Sequence, residues 1–188
     1  MSVATNMSQL NTRPTAAPSG GVTPSAHVEQ PPQYLTFTLG REVFAIGILA
    51  IKEIIEYSSL TTVPMMPGYV RGVINLRGAV VPVIDLSVRF GNPASPVSKR
   101  TCIVIIEITT AGERQDVGVV VDTVDSVLDI PSGQIEPPPA FGARISTDFI
   151  QGMGKVNGRF VILLDVNCVL APEEAVLLRT DTNPADGS

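Results

Sequence analysis

The chain has 188 residues, 44% of them hydrophobic, and a formal net charge of −5. An acidic chain with 5% aromatics and no tryptophan is poorly suited to a phosphate backbone or an anionic lipid surface, so nucleic acid and direct membrane contact are disfavoured. No apolar run approaches the ~18 residues of a membrane span, and the first residues lack the basic-then-apolar order of a secretory signal.

Residues 1–32 are rich in Ser, Thr, Pro, Ala and Gly and end in Gln30-Pro31-Pro32-Gln33. Such a segment buries too little apolar surface to offset its ordering entropy, and a disordered tail is expected. Tyr34–Leu39, the turn Gly40-Arg41-Glu42 and Val43–Ile46 read as a hairpin. Residues 48–57 fit either a helical stripe or a strand, and their isoleucine density favours a strand bent by a bulge. Residues 73–86 read as two strands turning at Arg77-Gly78, with Pro82 demanding an edge or a bulge. Gly91–Pro96 is a loop. Thr101–Ile108 and Val117–Val121 are apolar strands. Asn157-Gly158 is a strong hairpin signal, and Ala171-Pro172-Glu173-Glu174 suits the start of a short closing helix. Cys102 and Cys168 sit in apolar runs (TCIVIIEI and VILLDVNCVL), and both read as buried free thiols of a cytosolic protein.

One pattern organises the rest. Tyr69-Val70-Arg71-Gly72, followed by Gly78, Val81, Ile84 and Asp85, recurs about 80 residues later. The second copy is Phe149-Ile150-Gln151-Gly152, followed by Gly158, Val161, Leu164 and Asp165. Shared spacing implies a duplicated β-rich unit. The expected fold is all-β, with a first barrel over about 33–95, a second over about 96–170, a closing helix at 171–179 and a second disordered tail at 180–188.

Catalytic chemistry is hard to assemble from these residues. The single histidine, His27, lies in the expected tail, so no Ser-His-Asp or Cys-His pair is available. Two distant cysteines without a nearby histidine do not make a zinc site, and no phosphate-cradling glycine loop is present. Asp85 and Asp165 end apolar strands and suit capping better than general acid–base work. Asp122, Asp125 and Asp129 lack the alternation of a calcium loop and read as a solvated edge. No enzyme, metal or cofactor is expected.

Gly72-Val73-Ile74-Asn75-Leu76-Arg77-Gly78-Ala79-Val80-Val81-Pro82-Val83-Ile84-Asp85-Leu86 resembles the signature of the CheW family of chemotaxis adaptors. Phe37–Gly40, Ile51–Ile55, Gly118–Asp122 with Val124 and Val127-Leu128, and Phe149–Gly152 fit the same family in order, so the resemblance covers about residues 33–179. It implies two five-stranded SH3-like β-barrels on a common hydrophobic core. It also implies a non-enzymatic, cytoplasmic bridge between chemoreceptor tips and the regulatory domain of the histidine kinase CheA. The absence of phosphoacceptor, ATP-binding and receiver domains favours the stand-alone adaptor.

Residue by residue, the resemblance gives Arg77 and Glu53 as an ion pair on the docking face, with Gly72 and Asn75 beside them in the coupling element. Ile48, Ile51, Val80, Cys102 and Ile103 are implied to line an apolar groove for a receptor helix. Cys102 departs mildly from the usual aliphatic residue there. An adaptor of a different chemosensory pathway, such as surface motility or second-messenger control, fits the same residues.

Overall fold

The structure, a computed structural model, describes residues 30–139 and 145–171. The expected tails and the expected closing helix at 171–179 lie outside these residues, apart from residues 30–32 and 171. β1 (Gln33–Leu39) and β2 (Glu42–Gly47) form the expected hairpin. A 3₁₀ turn, Ile48–Ala50, leads into β3 (Ile51–Glu56), whose pairing register shifts between Ile51 and Glu53. The ambiguous segment is therefore one tight turn followed by a bulged strand.

The first half continues with β4 (Val70–Leu76), β5 (Ala79–Asp85) and α1 (Leu86–Arg89). The second holds β6 (Cys102–Thr110), β7 (Glu113–Val121), β8 (Thr123–Asp129), the two-residue β9 (Ile135–Glu136), β10 (Ile150–Val156), β11 (Arg159–Leu164) and α2 (Val166–Leu170). Three hairpins turn on residue pairs with positive φ throughout: Arg77-Gly78 (50° and 89°), Ala111-Gly112 (53° and 84°) and Asn157-Gly158 (49° and 78°). This geometry matches the twist of the flanking strands.

Two local expectations need correction. Cys168 is not in a strand. The apolar run ends at Leu164 because the Asp165 carboxylate accepts the amides of Asn167 and Cys168 at 3.0 and 3.1 Å, turning the chain into α2. Both cysteines are free but half-buried rather than buried. Pro82 is neither at a sheet edge nor in a bulge: β5 lies between β4 and β7. The missing N–H is tolerated because the parallel ladder to β7 starts one residue later, at Val83 opposite Gly118.

The strands form two sheets in an architecture of two SH3-like barrels, one ordered β3-β6-β7-β5-β4 and the other β8-β1-β2-β11-β10-β9. These sheets do not follow the halves 33–95 and 96–170. β1–β2 joins β8, β10 and β11 of the second half, while β6–β7 joins β3, β4 and β5 of the first. Each half lends its opening hairpin to the other half's barrel. The duplication survives in detail: β5 runs parallel to β7 as β11 runs parallel to β2, and β4 and β10 carry register shifts beside Gly72 and Gly152. Within the lent hairpins, β2 beyond Glu42 and β6 from Cys102 to Ile106 are apolar on both faces, which fits strands lying between a barrel interior and a second apolar layer. Along β6, Ile103 and Ile105 enter one barrel interior with Ile74, Val81, Val83 and Val120. Val104, Ile106 and Ile108 face the layer common to both barrels, with Phe37, Phe44, Val117 and Val119.

The common layer is organised around the internal duplication. Phe37, Phe44, Phe90 and Phe149 run through it with successive ring centroids 6.0, 5.6 and 6.3 Å apart. Arg89 at the end of α1 lies 4.4 Å from the Tyr69 ring and 5.3 Å from the Phe149 ring, the equivalent aromatics of the two copies. Its Nε donates to the carbonyl of Val169, its own counterpart in the second copy, at 3.0 Å. One guanidinium thus caps the end of α2 and stacks between the repeats, an arrangement that suits its planar charge.

Candidate docking face

Arg77 occupies the first position of the β4–β5 turn. Its positive φ costs a non-glycine residue local strain, and Asn75 supports the turn, its Oδ1 accepting the Gly78 amide at 2.9 Å. The Arg77 guanidinium meets Glu53 on β3 with two bonds, Nη1 to Oε1 at 2.9 Å and Nη2 to Oε2 at 3.0 Å. β3 and β4 lie at opposite edges of their sheet, so this pair spans the seam where the barrel closes. The Arg77 side chain is 78% exposed and that of Glu53 24%. A pair so solvated is worth at most about 1 kcal/mol to folding. What it supplies is a fixed, planar charge arrangement at an exposed hairpin tip, beside Val80, which is 71% exposed.

Gly72 acts from behind this hairpin. It is buried, with φ of 152°, and a Cβ built there would lie 2.5 Å from the Thr61 carbonyl oxygen. Thr61 and Val73 exchange backbone hydrogen bonds of 3.0 and 2.9 Å at that point. Glycine is therefore required by close backbone approach, and the residue touches nothing outside the barrel.

Arg71, which the sequence reasoning did not single out, is the charged centre of the same region. Its Nε donates to Asp85 Oδ2 at 2.9 Å, Nη1 to the Tyr57 hydroxyl at 3.3 Å, and Nη2 to the Ser95 carbonyl. The Asp85 side chain is fully buried and also accepts the amides of Ser87, Val88 and Ser95. Capping is thus the observed role of both Asp85 and Asp165. The available signal was the break in the repeat, where Arg71 stands against Gln151.

The five apolar groove positions do not form one surface. Ile48, Ile51 and Cys102 are half-buried against the common core, and Val80 stands apart on the exposed hairpin. Ile103 is fully buried in a barrel interior and is corrected from groove to core. Period-2 alternation explains the error, because neighbouring residues 102 and 103 face opposite sides of the sheet. Leu49, missed from the sequence, is 99% exposed in the 3₁₀ turn. It borders a cavity of about 400 Å³ with Tyr34, Ile48, Ala50, Leu164 and Val166.

The acidic residues expected to form a solvated edge do lie along the edge strand β8 and its approach, with Asp125 and Asp129 exposed, and they also act as ties. Asp122 accepts the Gly40 amide at 2.7 Å, Asp125 the Thr38 hydroxyl at 2.9 Å and Asp129 the Gln33 amide at 3.0 Å, which pins β8 and its approach to β1 and the turn after it. Lys52 lies between Glu107 and Asp116 at 3.0 and 2.6 Å. Its hydrogen bonds to Asp116 and Glu107 hold its pKa above the usual lysine value. Burial, then the nearby Glu56 charge, pushes the Cys102 thiol pKa up, so this is a sluggish nucleophile. Among the described residues no group of His, Cys, Asp and Glu is arranged to hold a metal, and no helix is long and apolar enough to cross a membrane. The surface of this region presents a clasped hairpin tip and exposed apolar side chains.

Comparison with known proteins agrees with this geometry. The family model described as the CheW-like domain matches residues 33–174. The chain is 37% identical over 146 residues to the chemotaxis protein CheW of Klebsiella aerogenes, covering 78% of this chain and 86% of that protein. It is 32% identical over 152 residues to the chemotaxis protein CheW of Bacillus subtilis, covering 80% of this chain and 94% of that one. The crystal structure of the scaffolding protein CheW from Thermoanaerobacter tengcongensis superposes with a TM-score of 0.70 at 34% identity, covering 79% of this chain and 93% of that one.

Proposed function

Because the chain belongs to the CheW family, a family of chemotaxis adaptors, we propose that it couples the cytoplasmic tips of chemoreceptors to the histidine kinase CheA. In this reading the protein works by binding alone, in the cytoplasm, at membrane-associated receptor arrays. The observation that carries it is the Arg77–Glu53 pair. A bidentate ion pair at an exposed tip adds little to folding, so its fixed geometry is of use to a partner. Ile48, Ile51 and Cys102, joined by the exposed Leu49, are the receptor-facing set, with Val80 of that set apart on the exposed hairpin, and Arg77 and Glu53 are the coupling pair. Asn75 and Gly72 shape the coupling hairpin from within.

Calorimetric titration against the regulatory domain of CheA from the same organism tests the reading. Saturable one-to-one binding near micromolar, about −8 kcal/mol, is the expected result. Absence of binding to that domain, with the protein folded, refutes the proposed coupling to that kinase.

A further inference from the structure

We infer that Arg71 is a positioning residue for the Arg77–Glu53 pair, acting through Tyr57 across the barrel seam. β3 and β4 occupy opposite edges of one sheet, and side chains join them at both ends. Glu53 near the start of β3 meets Arg77 beyond the end of β4. Tyr57, just past the end of β3, meets Arg71 near the start of β4. The two contacts define an antiparallel seam, with Ile55 and Leu76 packed against the same barrel interior. Backbone pairing enters beyond β3, at the Thr61–Val73 bridge. β3 is held by its backbone ladder to β6 and by the Tyr57 amide on the Thr101 carbonyl at 3.2 Å, and its direct links to β4 across the seam are side chains.

Arg71 is the better anchored of the two arginines. Its side chain is 20% exposed against 78% for Arg77, and Asp85 and Ser95 hold it from behind. An anchored guanidinium holds the tyrosine hydroxyl it touches at 3.3 Å, which adds to the backbone ties of β3 a side-chain link across the seam and narrows the range over which Glu53 moves relative to Arg77. The second copy supplies an internal comparison. Gln151 stands in place of Arg71 and Asn157 in place of Arg77. Both arginines are present in one copy and both are replaced in the other, as expected for residues that act together.

The test uses the full chain with Tyr57→Phe, which removes one hydroxyl and leaves Arg71 on Asp85, and separately with Arg71→Lys. NMR of the arginine side chains reads rotation of the Arg77 guanidinium about its Nε–Cζ bond, a motion that a two-bond pair slows. Rotation should rise about threefold or more in each variant, with the melting temperature of Tyr57→Phe nearly unchanged. Unchanged Arg77 rotation in folded Tyr57→Phe protein overturns the inference and leaves Arg71 as a local partner of Asp85. If Arg71→Lys does not fold, Tyr57→Phe decides alone.

The consequence for binding rests on the adaptor reading. Weaker CheA binding by Tyr57→Phe, by about threefold, supports both. A freed Arg77 with unchanged binding supports the seam and counts against Arg77 as the coupling residue.

Discussion

Replacing Gly72 with alanine should be among the costliest single-methyl additions in this protein. The new Cβ would sit 2.5 Å from the Thr61 carbonyl oxygen, 3.1 Å from its carbon and 3.2 Å from the Leu60 Cβ. The two backbone contacts cannot relieve themselves by a rotamer change, so the segment around Thr61 must move. That movement breaks the paired Thr61–Val73 hydrogen bonds, each worth about 1 kcal/mol. Alanine at φ of 152° adds about 1–3 kcal/mol of backbone strain. The sum is about 3–5 kcal/mol, a large share of the ~5–15 kcal/mol that holds a typical domain folded. Gly78→Ala is the control, because φ there is 89° with no atom within 4 Å of the added Cβ. It carries strain without a clash, about 1–2 kcal/mol. Urea unfolding of the two variants at equal slope measures the difference. If Gly72→Ala costs no more than Gly78→Ala, close approach is not why glycine stands at position 72.

Three further outcomes are expected. Arg77→Glu should leave urea and thermal unfolding changed by no more than about 1 kcal/mol while weakening binding to the CheA regulatory domain in calorimetry; unfolding of this variant would make Arg77 structural. Asp85→Asn should cost about 3–5 kcal/mol because it leaves the Arg71 charge short of its buried partner, against about 1 kcal/mol for Asp165→Ala, which removes a cap; equal urea midpoints would show that Asp85 is only a cap. The Cys102 thiol is held above its ordinary pKa of 9.0 by burial and Glu56. Its contribution is whole below that value and falls as pH rises past it, when the unfolded thiol ionises first. Native protein should therefore lose more stability from pH 7 to 10 than Cys102→Ala does, and parallel pH profiles would refute the assignment.

Much of the site region was legible because its signals are local. The turns at Arg77-Gly78 and Asn157-Gly158, the caps at Asp85 and Asp165 and the bulged strand after residue 50 each depend on neighbours within a few residues. The spaced match between residues 69–85 and 149–165 exposed the duplication. The Arg77–Glu53 pair was anticipated through family resemblance, since nothing in the spacing of residues 53 and 77 brings them together. Ile103 was misplaced because a run of isoleucines does not say which face meets the barrel interior. Arg71 was passed over because its partners Tyr57, Asp85 and Ser95 converge only after folding.

Strand content, turn positions and the repeat were thus determined by sequence alone, being matters of backbone preference and apolar period, and the family was carried by the resemblance of the Gly72–Leu86 motif. Which hairpin enters which barrel was decided only by tertiary structure. In the opening hairpins, β2 beyond Glu42 and β6 from Cys102 to Ile106 are apolar on both faces, so hydrophobic patterning there accommodates either barrel, and packing across the common layer selects the exchanged arrangement.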